Sequence, residues 1–175
     1  MPIPKYNELY PNVLNVLSDE KEHSIHEIDD IISDELNLTE EERNEMLPSG
    51  NQKLIKNRVG WARAYLKKAG LIESRKRGFA NITELGLKEY NENPNLTEND
   101  LMKYQSFVDF VTGKPKDESG TNEPKPLVLE DSTPDEIMES TYKKINKDLS
   151  DSILASIYNH DPFFFETLLV DLLLK

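Results

Sequence analysis

A mostly α-helical chain with one small β-hairpin is the fold class this sequence predicts, and three observations predict it. Apolar residues recur at spacings of three and four along most of the chain. Ser24 and Thr39 each stand three positions ahead of a glutamate, the signature of a capped helix start. One short segment, by contrast, runs into a basic turn and out again with glycine at its corner.

The elements follow in order. Tyr6 to Leu17 reads as a first helix, with Leu9, Val13, Leu14, Val16 and Leu17 as its stripe and Pro4 ahead of it. Ser24 and Glu27 open a second helix, whose apolar positions are Ile25, Ile28, Ile31, Ile32 and Leu36. Thr39 and Glu42 open a short acidic helix that is expected to end near Leu47. Pro48-Ser49-Gly50 signals a turn. Lys53 to Ala69 is the next helix, stopped by Gly70. Leu71 to Ser74 and Phe79 to Ile82 form the hairpin, with Lys76-Arg77-Gly78 as its turn. Thr83 then caps a helix to about Asn91, with Leu85, Leu87 and Tyr90 turned inward. Helix, helix, helix and hairpin in this order is the arrangement of a winged helix-turn-helix.

A further helix is expected from Leu96 to about Val111, capped by Thr97. Lys114 to Thr133 carries Pro115, Pro124, Pro126 and Gly120 among polar residues and reads as a flexible linker. After Pro134 the helical pattern resumes through Ile137, Met138, Tyr142, Ile145, Leu149, Ile153, Leu154 and Ile157. Asp161-Pro162 opens a last helix. The division expected is 3–92 for the winged helix, 93–113 for an additional helix, 114–133 for the linker and 134–175 for the C-terminal helices.

Composition excludes several classes. Cysteine is absent among the 175 residues, so disulfides, thiolate catalysis and cysteine-ligated zinc are ruled out. No apolar run reaches the ~20 residues of a membrane span, and Met1 to Asn15 lacks the features of a signal peptide. A cytoplasmic protein without a membrane partner is expected. The net charge of −12 argues against nucleic acid until its distribution is examined. Between Lys53 and Arg77, nine basic residues face one acid, Glu73, a surplus of eight that leaves −20 for the rest of the chain. Such polarity concentrates positive field on one helix and one hairpin.

The residues expected to meet DNA follow. Leu54, Ile55, Val59, Ala62, Leu66 and Ala69 take one side of the basic helix. Lys53, Lys56, Asn57, Gly60, Arg63, Ala64 and Lys67 take the other, and Arg58 adds to the basic block. Arginine can read a guanine edge and asparagine an adenine edge, while lysine neutralises phosphate. Gly60 costs this helix about 1 kcal/mol relative to alanine, which asks for either a close approach to the duplex or close packing on another helix. Trp61 is read as a core anchor. Arg75, Lys76 and Arg77 at the turn are placed against the phosphate backbone or in the minor groove. Asp29-Asp30 and Glu40-Glu41-Glu42 are read as solvated faces. His23 and His26 flank a helix cap without a third metal ligand, so no metal site is expected.

Three strings carry a resemblance: Leu47-Pro48-Ser49-Gly50, Asn57-Arg58-Val59-Gly60-Trp61-Ala62 and Tyr65-Leu66-Lys67-Lys68-Ala69-Gly70-Leu71-Ile72. With Arg77-Gly78 and Ile82-Thr83-Glu84-Leu85-Gly86, they resemble the N-terminal domain of Mrr-type restriction endonucleases over about residues 3 to 92. That resemblance implies a type IV, modification-dependent restriction system. In that family a winged-helix DNA-binding domain precedes a metal-dependent nuclease of the PD-(D/E)xK kind. Ser150 to Lys175 resembles the opening helix of that nuclease. Its metal-binding aspartate and Glu/Gln-x-Lys motif are not found here. The Glu-x-Lys triplet Glu123-Pro124-Lys125 has Asp117 upstream, but Pro124 forbids a central strand.

The chain is therefore expected to be the DNA-targeting half, without catalytic residues, inactive alone and without a cofactor. A divalent metal such as magnesium belongs to the missing nuclease core. The implied partner is double-stranded DNA, methylated or not. Phe163, Phe164 and Phe165 cannot all face one side of a helix, which adds a homodimer through the C-terminal helices as a second expectation. The rival readings are a winged-helix transcription regulator with a C-terminal dimerisation arm, and a winged helix that binds protein instead of DNA.

Overall fold

The computed structural model describes residues 3–112, 132–160 and 162–174. They fall into two compact units, Met1–Thr133 and Pro134–Lys175. The first is a mostly helical, winged-helix-like unit with a small antiparallel sheet.

It opens on a 3₁₀ turn, Tyr6–Leu9, that runs into α1, Tyr10–Leu17. Pro11 explains the change of pitch. It has no N–H to give to the carbonyl four residues back, so the α-helix restarts with proline in its first turn. The strand β1, His23–Ser24, leads into α2, Ile25–Glu35, and the Ser24–Glu27 capping box is present. Asn37 takes a left-handed φ of 51° just beyond the end of α2. The one-turn helix α3, Glu40–Arg43, is shorter than the sequence suggested. Arg43 accounts for that: its guanidinium reaches the Leu38 carbonyl and Asp34, and the chain then turns so that Met46 bridges to Lys53.

The long helix α4, Leu54–Ala69, ends at Gly70 with φ 81°. β2, Ile72–Glu73, and β3, Phe79–Ile82, form the hairpin, with Gly78 at φ 85° in the turn. The sheet order is β1-β3-β2, all antiparallel. Helix α5, Glu84–Glu92, follows its Thr83 cap.

One expectation for α5 is corrected. Leu85 does not face inward but is 43% exposed, while Gly86 is buried. A Cβ on Gly86 would lie 1.9 Å from the Leu71 carbonyl oxygen, so the glycine is the residue pressed against the hairpin. Thr83 Oγ1 lies 2.8 Å from the Gly70 carbonyl and 3.0 Å from that of Leu71, and accepts from Gly86 N–H. One hydroxyl thus joins the end of α4, the start of the hairpin and the start of α5.

The helix expected from Leu96 to Val111 is broken into α6, Glu98–Leu101, and α7, Gln105–Thr112. Leu101 and Phe107 are both fully buried. Six residues apart, they would sit about 240° apart around a continuous helix, so the chain turns between them to bury both. α7 lies against α4. There Tyr65 is the hub of an aromatic cluster, in edge contact with Tyr6 at 5.2 Å, Phe107 at 5.7 Å, and Trp61 and Phe110 at 5.9 Å.

The expected linker, with Asp117 and the Glu123-Pro124-Lys125 triplet, falls largely on residues 113–131, outside the described residues. Past it, Thr133 is buried in the first unit. The second unit consists of α8, Pro134–Tyr158, and α9, Pro162–Leu173. Met138, Tyr142, Ile145, Leu149 and Ile153 of α8 are exposed, as are Phe163, Phe164 and Phe165 of α9.

Gly86→Ala is expected to lower unfolding free energy by about 3 kcal/mol, because backbone must move to admit the methyl. Urea unfolding followed by circular dichroism measures it, and a midpoint equal to that of the parent would refute the close approach.

Candidate nucleic-acid interface

The basic helix is covered on more of its circumference than an amphipathic stripe implies. Ile55, Val59, Ala62, Leu66 and Ala69 face the core formed with α1, α2 and the sheet. α7 takes a further sector through Tyr65, whose ring meets Phe107 and Phe110 edge-on. Among the accessible positions of α4, Lys56, Gly60, Arg63 and Lys67 form a row spaced four, three and four, which is one face of an α-helix.

The charge on that row runs against the usual preference of a helix start. The first turn of α4 holds no acid and is entered through Lys53. Lysine at the positive end of a helix dipole is unfavourable in isolation, and the combination favours an incoming anion. Lys53 Nζ donates to Asn44 Oδ1 at 2.7 Å. Lys67 is exposed, and neither it nor Lys56 has an ion-pair partner among the described residues.

Two sequence-assigned positions move off this face. Asn57 is 2% exposed; its Oδ1 accepts from Thr133 Oγ1 at 2.7 Å and its Nδ2 donates to Gln52 Oε1 at 3.3 Å. An asparagine engaged on both sides is a structural tie, and this corrects its placement as a base reader. Arg58 donates from Nη1 to the carbonyls of Ile3 at 2.5 Å and Pro4 at 3.2 Å, so it holds the N-terminal strand of chain rather than facing outward.

Gly60 is half-buried in open surroundings. Among the described residues, a Cβ there would meet only Arg63 Nη2, at 3.9 Å. Close packing against another described helix therefore does not account for this glycine.

The hairpin tip supplies the remaining cations. Arg75 Nε pairs with Glu73 Oε1 at 2.8 Å, and Asn81 Nδ2 donates to the same oxygen at 2.9 Å. Those two hydrogen bonds, Asn81 first and Arg75 second, hold the Glu73 carboxyl below its ordinary value. Lys76 Nζ sits 4.6 Å from the Phe79 ring centroid. Arg77 is exposed without an ion-pair partner among the described residues.

Helix α2 connects the two basic elements. Ile25 N–H donates to the Gly78 carbonyl of the hairpin turn at 2.9 Å. One turn on, Asp29 lies within the field of Arg63 and Lys56 of α4. Asp29, expected with Asp30 on a solvated face, is instead buried at 4% exposure. Its spacing of four from Ile25 and three from Ile32 carried the signal. Burial pushes the Asp29 carboxyl up to about 6, against the pull of Arg63, Lys56 and His26. Burial likewise lowers Arg63, with Asp29 opposing.

This geometry sits inside a matched family. A comparison against protein families matches the Mrr N-terminal domain over residues 6–92. Residues 6–92 belong to the Mrr N-terminal domain family. The Mrr N-terminal domain thus contains the 3₁₀ turn, α1 to α5, the sheet and every cation of the candidate interface. Helices α6 and α7 lie outside the matched residues, although Leu101, Phe107 and Val111 share its core. Over 99% of its length the chain is also 29% identical to the type IV methyl-directed restriction enzyme EcoKMrr of Escherichia coli (strain K12). It spans 59% of the length of that relative. No solved structure matches the chain. None of the described helices is long and apolar enough to cross a membrane.

Asp29 yields a pH prediction. With its folded value raised above the ordinary carboxylate value of 3.8, the folded Mrr N-terminal domain holds this proton more tightly than the unfolded chain. The contribution to stability is fully present at low pH and is lost as pH rises through about 6. Asp29→Asn should therefore raise stability at pH 8 by on the order of 2 kcal/mol and change little at pH 4. Thermal melts at the two pH values test this, and an equal effect at both would refute it.

Proposed function

We propose that this chain binds double-stranded DNA as a winged helix. In this reading α4 lies in the major groove and the tip between β2 and β3 lies against the phosphate backbone. The chain serves as the targeting half of an Mrr-type restriction protein that acts on modified, typically methylated, DNA in the cytoplasm. The observation that carries the reading is the row Lys56, Gly60, Arg63 and Lys67 on α4, joined through α2 to the basic turn at Arg77. Both elements border one helix, so a single anionic partner can meet them together. Lysines and arginines so arranged neutralise phosphates, and the helix between them offers side chains to base edges.

No cofactor enters this binding, and the chain is proposed to have no nuclease activity by itself. The divalent metal of the family's nuclease chemistry plays no part in it, so affinity is expected to survive chelation. Similarity to a restriction enzyme along 99% of the chain favours this reading over a transcription regulator. The exposed apolar residues of α8 and α9 support a homodimer through those helices, which sedimentation of the full chain would reveal as a mass of two protomers.

The test is binding to methylated and unmethylated duplexes across a salt series. A log–log slope of several units is expected, since each phosphate contact contributes about −0.9. Replacing Lys56, Lys67 and Arg77 by glutamine should reduce that slope by about 3 with the circular dichroism spectrum unchanged. Preference for the methylated duplex would locate modification sensing here. No binding at low salt by a folded chain would overturn the DNA reading in favour of a protein-interaction module.

A further inference from the structure

The mid-helix glycine of α4 answers no need of the fold. Gly60 keeps an ordinary helical backbone, so no left-handed geometry requires it, and the space beside it holds only the tip of Arg63. Glycine at such a place weakens a helix. Arg63 and the acid that faces it from α2 each keep a buried polar atom without a hydrogen bond among the described residues. Asp29 Oδ1 on α2 is buried and accepts no hydrogen bond among the described residues. Arg63 Nε is buried and donates none. The carboxylate and the guanidinium attract each other across the α2–α4 junction without closing into an ion pair. Buried polar groups left open in this way call for an explanation.

Resting on the reading of α4 as a DNA-recognition helix, we propose that Arg63 reads a guanine edge in the major groove, with Asp29 as the positioning carboxylate behind its guanidinium and Gly60 as the notch that admits the base pair.

The chemistry selects among the cations of the row. Guanine offers two acceptors, O6 and N7, in the major groove, and the planar arginine fork matches both at once. Lys56 and Lys67 are point charges and suit phosphates. An arginine beside a duplex has a competing choice, since phosphate also takes its fork. The buried charge of Asp29 on the α2 side attracts the guanidinium inward and so disfavours its turning out to the backbone. Asn57, which would have read adenine, is withdrawn into the core, leaving Arg63 as the row's group with two parallel donors. The notch matters because a guanidinium lying along the helix brings the base edge near the helix backbone, where a methyl group would stand in the way.

The experiment uses the full chain. The tightest duplex is first selected from a random pool, then remade with 7-deazaguanine at each guanine in turn, which removes the N7 acceptor without changing charge or pairing. One position is expected to weaken the parent chain about tenfold. Arg63→Lys, which keeps the charge, should bind the parent duplex about tenfold more weakly and be indifferent to 7-deazaguanine there. Asp29→Asn should shrink the 7-deazaguanine effect while leaving the salt slope unchanged. Gly60→Ala should melt at a higher temperature than the parent and yet bind more weakly, a pair of effects that damage to the fold cannot produce.

Selection of a duplex with no sensitive guanine, or Arg63→Lys retaining the sensitivity, would overturn this inference while leaving DNA binding intact. So would Gly60→Ala binding as tightly as the parent. Failure of the parent chain to bind any duplex would overturn the DNA reading itself, a separate and recognisable result.

Discussion

Tyr65 and the rings around it decide what α4 can show to the outside. Because α7 docks on that cluster, the basic helix is clamped between two packing surfaces instead of resting on one. A helix held on one side would leave about half its circumference open. This one leaves a strip that carries Lys56, Arg63, Lys67 and the bare glycine. Orientation follows from the same constraint, since a helix gripped on two sides cannot roll to present another row.

Much of the fold was legible because local signals agreed with the final packing. The Ser24–Glu27 and Thr39–Glu42 caps, Gly70 at the end of α4 and Gly78 at the hairpin tip all act within a few residues of themselves. What the sequence concealed depends on distant partners. Asn57 occupies a polar position by helical period, and Thr133, far along the chain, helps to hold it inside. The break between α6 and α7 arises because one core must take both Leu101 and Phe107. Leu85 faces outward because the Leu71 carbonyl leaves room only for a glycine beside it. In each case apolar periodicity was read correctly and then overruled by a contact that periodicity cannot see.

The candidate interface was legible in its charge and not in its anatomy. Counting cations between Lys53 and Arg77 pointed to the right two elements. It could not separate cations free to meet a partner, such as Lys67 and Arg77, from those already committed within the fold. Arg58 secures the chain near its start, Arg75 is held by Glu73, and Lys76 leans on Phe79. Asp29 was misjudged for a related reason. A carboxylate is usually solvated, and an acid set between hydrophobic residues at helical spacing is the exception that periodicity alone does reveal.

The hydroxyl of Thr83 has an effect that reaches past its own three contacts. By bridging the Gly70 and Leu71 carbonyls, just past the end of α4, to the first turn of α5, it leaves no free hinge on which a wing would swing. The basic tip and the basic helix therefore stand at a spacing fixed before any partner arrives. If a duplex meets both, as proposed, it would encounter a rigid gauge, and the entropy lost on contact would fall on side chains and released ions, not on backbone. On the proposed reading, such a surface would tolerate little variation in groove width, so the shape of the duplex, and whatever chemical marks alter that shape, would be a quantity the protein measures before any base is read.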